Sequence, residues 1–216
     1  MGSIHDTAEM KQSMNMRPAC NRVLREVFWV NDSSITRYEQ DDGPHILDSE
    51  FAIDLKVRLK SGVCLSGQEK ALSHKYHRYK TFTMEFYQNK YTKEPGEFFK
   101  IASQFYLTGY SDETGREFIE WHIFKVFDYM DWIRRRYTID DLESWLKPAC
   151  GSRAMFLPME YKYIPDHICY ASGSGPGRTI VHQSPSVFER KKPEDAPPGY
   201  LFWTWNIDSN CHQIAA

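Results

Sequence analysis

The stretch FAIDLKVRLKSGVCLSGQEKAL, residues 51–72, decides the fold of this chain. Apolar and polar residues alternate from Phe51 to Lys60, and this period of two predicts a strand with one buried face. Ser61 and Gly62 are typical turn residues, so Val63 to Leu72 is predicted to return as the second strand of a hairpin. The predicted strand places Ile53, Leu55, Val57 and Leu59 on its apolar face, and Asp54, Lys56, Arg58 and Lys60 on its polar face.

Patterns on both sides of the hairpin predict an α/β fold. Apolar residues recur at helical spacing from Asn21 to Val30, which predicts a short amphipathic helix packed on one face of a sheet. Thr138, followed by acidic residues, is typical of a helix start, and that helix is predicted to end at Pro148. Further strands are predicted at Thr81 to Gln88, Gln104 to Tyr110 and Phe118 to Trp132, with a helical turn or two between Glu97 and Ser103. We therefore expect a mixed central sheet of about five strands flanked by helices.

Changes in composition along the chain predict three segments. Residues 1–20 are polar without clear periodicity and are predicted to be a flexible lead-in, followed by one folded domain over 21–170. Residues 171–216 are rich in Gly, Ser and Pro and are predicted to form an extended tail. The tail is expected to dock on the domain, because a free tail would expose the aromatic residues Tyr200, Phe202, Trp203 and Trp205.

The overall composition is that of an ordinary globular protein. Of the 216 residues, 41% are hydrophobic and 26% are charged, and 27 Lys and Arg against 29 Asp and Glu exclude a histone-like, uniformly basic surface. No stretch approaches the ~18 apolar residues of a membrane span, and the first residues do not resemble a signal peptide, so we expect a cytoplasmic protein. The five cysteines are scattered and include no CxxC pair, which favours free thiols over disulfides or a zinc knuckle.

The hairpin brings together residues that could carry chemistry. Asp54 begins its first strand and Gln68-Glu69-Lys70 ends its second, so a carboxylate, further oxygen ligands and a lysine are expected near one point. Oxygen ligands hold a hard divalent cation, and an ammonium group stabilises developing negative charge, as phosphodiester hydrolysis requires. Asp48 and Glu50, in the acidic loop before the strand, could enlarge this cluster.

The register of the hairpin decides which side chains meet, and two registers are open. A two-residue turn at Ser61-Gly62 places Asp54 opposite Glu69. A three-residue loop over 61–63 places Asp54 opposite Lys70 and Lys56 opposite Gln68. We favour the second, while Glu69 stays a possible ligand in either.

These residues resemble the two half-motifs of the PD-(D/E)xK nuclease superfamily. Ile53-Asp54 corresponds to the first half and Gln68-Glu69-Lys70 to the second, with Gln68 where an acidic residue is commonest, as in the Mrr-type QxK branch. The resemblance covers roughly residues 22 to 130, helix followed by strands, and is closest to proteins of phages and mobile elements. It implies a restriction-endonuclease-like core and an endonuclease that uses Mg²⁺ or Mn²⁺ to cleave DNA. Asp54, Gln68 and Glu69 would then hold the metal, and Lys70 would position the attacking water and stabilise the phosphate.

A local excess of positive charge surrounds the same hairpin. From Asp54 to Lys80 the chain has seven Lys and Arg and two acidic residues, a net charge of +5 in a chain of net −2. Cations alternate with aromatic residues from His74 to Lys80, a composition suited to phosphate contacts and base stacking, although a solvated loop has the same composition. The predicted nucleic-acid-binding residues are Lys56, Arg58, Lys75, Arg78 and Lys80.

Two functions from different classes are consistent with these patterns. The first is a DNA endonuclease of mobile-element or defence type, for which a homodimer would suit cleavage of both strands. The second is a catalytically inactive nucleic-acid-binding or virion-associated protein on the same fold, which would bind in a salt-sensitive way without metal-dependent cleavage.

Overall fold

The structure is a computed structural model that describes residues 8–40, 43–148, 152–175 and 178–183. The helices within these ranges are α1 (Ala8–Phe28), α2 (Ile46–Phe51), α3 (Glu97–Lys100), α4 (Val126–Arg136) and α5 (Ile139–Trp145). Short 3₁₀ helices cover Asp32–Ser34, His74–Tyr79, Tyr161–Tyr163 and Asp166–Ile168. Across the described ranges no helix is long and apolar enough to cross a membrane.

The strands form one large sheet and two smaller ones. They are β1 (Ile35–Arg37), β2 (Glu39–Gln40), β3 (Gly43–Pro44), β4 (Leu55–Arg58), β5 (Cys64–Leu72), β6 (Thr81–Asn89), β7 (Glu94–Pro95), β8 (Phe105–Ser111), β9 (Phe118–Lys125), β10 (Lys147–Pro148), β11 (Met155–Glu160), β12 (Cys169–Gly173) and β13 (Thr179–Val181). The main sheet has seven strands in the order β1-β4-β5-β8-β9-β12-β13, and the second has four in the order β10-β11-β6-β7. Strands β2 and β3 pair only with each other.

The main sheet is mixed, as the sequence predicts. Strands β5 and β8 run parallel, whereas each other neighbouring pair in this sheet is antiparallel. The expected number of about five strands was too small, because β1 and the two strands after residue 168 also join the sheet. The strand predicted at Thr81 to Gln88 is β6, which belongs to the second sheet and not to the main one.

Each face of the main sheet is covered by a different layer. On one face α1 buries Leu24 and Val27 against Leu55 and Val57 of β4, as expected for an amphipathic helix on a half-buried hairpin. On the other face, Tyr106 and Phe124 pack in a second core that also contains residues of β6, β11, α4 and α5. The main sheet is therefore a central layer, and α1 and the second sheet lie on opposite sides of it.

The register of the hairpin corrects the sequence prediction. Arg58 pairs with Cys64, and the Leu59 amide donates to the Val63 carbonyl, so the loop consists of three residues, 60–62. Gly62, with φ of 89°, provides the left-handed residue that this tight loop requires. Both registers considered from the sequence were wrong, since Leu55 pairs with Gly67 and the Asp54 amide also donates to the Gly67 carbonyl.

Three other boundaries differ from the sequence prediction. Helix α1 begins at Ala8 instead of Asn21, and Met16 and Ala19 are fully buried, so much of the predicted lead-in belongs to the folded body. The predicted strand over 118–132 ends at Lys125 and continues as α4. Residues 169–173 and 179–181 form the last two strands of the main sheet, β12 beside β9 and β13 at the edge, although residues from 171 onward were predicted to be a tail. The aromatic residues predicted to dock, Tyr200 to Trp205, lie outside the described residues.

The sequence signals at the starts of the other helices are confirmed, but α5 ends at Trp145 instead of reaching Pro148, because Lys147 and Pro148 form β10. Thr138 caps α5 through a reciprocal pair of hydrogen bonds with Asp141, which satisfies amide groups at the start of the helix. The helical turn predicted after Gly96 is α3.

Candidate active site at the end of the hairpin

Gln68 and Lys70 share the face of the main sheet that lies away from α1. Leu65 on the same strand packs in the core with α1, and side chains alternate along a strand, so Gln68 and Lys70 of β5 belong to the opposite face. They pair with Tyr106 and Thr108 of the parallel strand β8. Asp54, the residue before β4, contacts the main chain of β5 at Glu69, between these two predicted catalytic residues.

Asp54 is held in place by the neighbouring strand. The main-chain amide of Glu69 donates a hydrogen bond of 3.0 Å to Asp54 Oδ2. Burial raises the pKa of Asp54 well above its usual range, and the hydrogen bond only partly opposes this effect. The charges of Asp48, Glu69 and Glu97 raise this pKa further, so Asp54 sits in a site that favours an added cation.

Glu69, the fourth predicted residue, points to the other face of the sheet. Its carboxylate oxygens lie 2.9 Å from Nε and Nη2 of Arg37, and both side chains are largely buried. Arg37 also donates to Asn21 Oδ1 of α1 at 2.7 Å. Glu69 is therefore engaged in a structural ion pair between β5, β1 and α1, and the structure does not bring its carboxylate to Gln68 and Lys70.

Glu97 is a residue of this site that the sequence analysis missed. It is the first residue of the short helix α3, and its Oε2 lies 3.9 Å from Lys70 Nζ. The Glu85 amide donates to the same oxygen at 3.3 Å, which ties Glu97 to β6. Nothing in the spacing of residues 70 and 97 indicates this contact, because it depends on how the second sheet packs against the first.

One buried oxygen atom at this site, Gln68 Oε1, has no hydrogen-bond partner within the described residues. The Tyr106 hydroxyl lies close to Glu97, because burial, the charge of Glu97 and a hydrogen bond with its side chain all raise the pKa of Tyr106. An unsatisfied buried acceptor is costly, and a bound cation would satisfy Gln68 Oε1.

The donor set fits a hard cation such as Mg²⁺. Carboxylates and an amide oxygen are its preferred protein ligands, and Mg²⁺ commonly uses one or two carboxylates together with water and substrate phosphate. Among the described residues, no group of three or more His, Cys, Asp or Glu side chains is arranged to hold a metal. Asp54 and Glu97, with Gln68 as a neutral ligand, are the residues that could hold it.

The basic residues predicted on the hairpin line the approach to this site. Lys56 and Arg58 alternate with Leu55 and Val57 along β4, so both lie on the face away from α1. Lys56 is half-buried, and Arg58 is exposed at the turn end of the strand. A stripe of positive charge therefore leads along β4 toward Asp54.

The other predicted basic residues lie on and next to the 3₁₀ helix after β5. Lys75, Arg78 and Lys80 are exposed, as predicted. Arg78 stacks 4.8 Å from the centre of the Tyr79 ring and donates to its hydroxyl. Lys80 differs, because its ammonium group forms an ion pair with Glu120 of β9.

Glu120 is the centre of a second polar cluster that the sequence analysis missed. Its carboxylate contacts Lys80, His77 and His122, and His77 Nε2 lies 2.8 Å from Oε2. The sequence signal was the alternation of Glu120 and His122 on a strand, which places both on one face.

Comparisons with known proteins provide no relative from which a function of these sites could be inferred. No family model matches the chain, and no match was found among curated proteins or solved structures.

Proposed function

We propose that this protein is a metal-dependent endonuclease, of mobile-element or defence type, that hydrolyses DNA phosphodiester bonds. The observation that carries the proposal is the position of Asp54, whose carboxylate accepts a hydrogen bond from the β5 main chain between Gln68 and Lys70, with the carboxylate of Glu97 beside the lysine. This is the arrangement of acidic, amide and basic groups that the resemblance to the PD-(D/E)xK superfamily implies, with one carboxylate supplied by α3.

Each of these residues has a role in the proposed reaction. Asp54 and Glu97 would hold Mg²⁺ or Mn²⁺, and Gln68 would add a neutral oxygen ligand. The bound ion supplies Lewis-acid polarisation of the scissile phosphate. Lys70 is half-buried between Glu97 and the Phe156 ring, 4.8 Å from the ring centre, so its charge is positioned to stabilise the phosphate oxygens.

The charges around the site support a polyanionic substrate. Lys56 and Arg58 extend the cluster along β4, and Lys75 and Arg78 add exposed charges beyond the end of β5. Tyr76 and Tyr79 are each about half exposed on the same 3₁₀ helix, where they could stack on bases. Phosphate contacts of this kind provide affinity without sequence information.

Plasmid cleavage in Mg²⁺ or Mn²⁺ is the direct test. Asp54→Ala, Lys70→Ala and Glu97→Gln are each expected to reduce the cleavage rate at least ~100-fold, as removal of a charge-stabilising group commonly does. Lys93→Ala is the matched control, because Lys93 is exposed and pairs with Glu143 on the second layer. Equal cleavage by the wild type and all three site variants would assign the activity to a contaminant and overturn the proposal.

Metal binding is measured separately from activity. Tb³⁺, which prefers the same hard oxygen ligands, can be excited through a nearby tyrosine, and Tyr106 lies at this site. Asp54→Ala and Glu97→Gln should each weaken Tb³⁺ binding, and excess Mg²⁺ should displace the ion. Tb³⁺ affinities unaltered by both substitutions would place the metal elsewhere.

A catalytically inactive nucleic-acid-binding protein is the competing function. It is favoured by the absence of a three-residue metal-binding group within the ranges that the structure describes. It predicts salt-sensitive binding of DNA with no metal-dependent cleavage and no effect of Asp54→Ala on affinity. Parallel assays with DNA and RNA identify the substrate, and sedimentation in the presence of DNA tests the proposed homodimer.

A further inference from the structure

A chain of thiol, imidazole and carboxylate crosses the far side of the main sheet. Cys169 Sγ lies 3.9 Å from His122 Nδ1, and His122 Nε2 lies 3.2 Å from Glu120 Oε1. The three residues come from β9 and β12, neighbouring strands near the edge opposite β1. A nucleophile beside a base that is oriented by a third group is the general arrangement of covalent catalysis.

A β-bulge directs Cys169 toward the histidine. The register of β12 on β9 shifts between Cys169 and Ala171. Ala171 is buried in the core beneath α1, whereas Cys169 packs with the core on the opposite face. Residues two apart on a regular strand share a face, so the bulge is what places the thiol on the same face as His122.

The carboxylate at the end of the chain stays ionised. Burial alone would raise the pKa of Glu120, but hydrogen bonds with His122, Lys80 and His77 outweigh it and lower this pKa to about 2. A carboxylate beside Nε2 favours the imidazole tautomer that carries its proton there, which leaves Nδ1 as the basic nitrogen facing Cys169. Glu120 is thus suited to orient His122.

Cys169 and His122 line one cavity. Its volume is about 550 Å³, within the range of small-molecule sites, and its wall also includes Tyr161, Ser172 and His182. Ser172 Oγ lies 3.1 Å from His182 Nε2, so polar groups of β12 and the residue after β13 face the same space. A ligand in this cavity can reach the thiol and polar groups together.

We propose that Cys169 is a nucleophile, that His122 is its general base, and that the cavity accepts a small acyl ester or thioester. The thiol proton passes to His122 Nδ1 as Sγ bonds to the acyl carbon. The leaving alcohol or thiol takes that proton as its own bond to the acyl carbon breaks. Water then hydrolyses the acyl-enzyme, releasing the acid and restoring the thiol.

The state of the free thiol explains why the base is required. Burial raises the pKa of Cys169 to about 12, and the charge of Asp166 adds to this effect. The thiol also donates to the Ala171 carbonyl at 3.4 Å. Cys169 is therefore protonated at neutral pH, and its reaction depends on proton transfer to His122 in the attacking step.

The test uses p-nitrophenyl acetate with the full chain. We expect a burst of p-nitrophenol, one acetyl group on Cys169 by mass spectrometry, and complete loss of both in Cys169→Ala. His122→Ala should slow acetylation about 100-fold, the usual contribution of a general base. Cys64→Ala is the matched control, since Cys64 is another half-buried free thiol and lies on β5, away from the cavity.

A second measurement uses only the wild-type protein, so its result does not depend on whether a variant folds. Wild-type protein is treated with chloroacetamide at neutral pH, and the alkylation rates of Cys169 and Cys64 are compared by peptide mass spectrometry. We expect Cys169 to react at least tenfold faster despite its raised pKa, because His122 Nδ1, 3.9 Å from Sγ, takes the thiol proton as the sulfur attacks. Equal or slower reaction of Cys169, or acetylation that occurs mainly at Cys64, would overturn the proposal.

Discussion

The main-chain amide of Glu69 donates to Asp54 Oδ2, and this bond of 3.0 Å fixes the first residue of the candidate site to the strand that carries the other two. Gln68 and Lys70 flank Glu69 on β5, so their positions relative to Asp54 follow from one backbone contact. The site is thus assembled by the hairpin itself, with Glu97 as the exception.

Asp54→Asn is expected to stabilise the protein at high pH while abolishing metal-dependent cleavage. Because burial raises the folded-state pKa of Asp54, the folded protein binds this proton more tightly than the unfolded chain does. The stabilisation from the protonated carboxyl is complete below the unfolded pKa of about 4 and is lost as pH rises through the folded pKa. Urea unfolding at several pH values should therefore show the largest gain at pH 8 and little gain near pH 4. A variant that is less stable than the wild type at pH 8 would show that the Asp54 charge is compensated in the folded protein.

The Glu69→Gln variant tests whether Glu69 stabilises the fold or takes part in the chemistry of the site. The substitution leaves Arg37, whose side chain is only 14% exposed, without its carboxylate partner. Removing one member of a buried ion pair typically costs about 3 kcal/mol or more, so the urea midpoint should fall clearly. Cleavage by the folded fraction should persist, because the Glu69 carboxylate points away from Lys70. Glu113→Gln, at an exposed position, is the control. Loss of cleavage without loss of stability would make Glu69 a ligand after all.

The salt dependence of DNA binding tests which basic residues contact phosphate. Replacing Lys75 and Arg78 together by Ala should reduce the log–log slope of affinity against salt by about 0.9 for each lost contact with B-DNA. Lys80→Ala should change the slope less, because the Lys80 ammonium group is already paired with Glu120. Fluorescence anisotropy at several salt concentrations gives the slopes. An unchanged slope in the double variant would move the binding surface away from this 3₁₀ helix.

Glu120→Gln should reduce stability in a pH-dependent way. The pKa of Glu120 is lowered from 4.5 to about 2 in the folded protein, so its ionised form stabilises the fold above the unfolded pKa. This contribution is lost as pH falls from about 4.5 to about 2. Thermal unfolding should therefore separate variant and wild type at pH 6 and bring them together near pH 2. A constant difference at all pH values would assign the loss to packing and not to charge.

Local patterns in the sequence predict the local parts of this structure. Alternation over residues 53–59 indicates the strand and its buried face, and Thr138 indicates the start of α5 because its capping partner is only three residues away. The length of α1 could not be predicted from such local patterns. Pro18 usually marks a helix end, yet here it lies inside a helix that is held by burial of Met16 and Ala19.

The parts that the sequence does not predict depend on contacts between distant segments. Glu97 reaches Lys70 because the second sheet packs over the first, and no spacing rule encodes that packing. The register was missed for a different reason. Three-residue loops over 60–62 and 61–63 both contain Ser61 and Gly62, so the sequence alone could not place the loop at 60–62.

The order of the strands along the sequence differs from their order in the sheets, and this difference governs how the protein can fold. The parallel partners β5 and β8 are separated in sequence by β6, which belongs to the other sheet. The partner of β6, β11, follows only after β8 and β9, and β12 and the edge strand β13 of the main sheet come later still. Neither sheet can be completed before strands of the other have been placed, so partial assemblies expose unpaired edges. Such non-local pairing slows the search for the native state, and the two layers should form in one cooperative transition instead of as separate units.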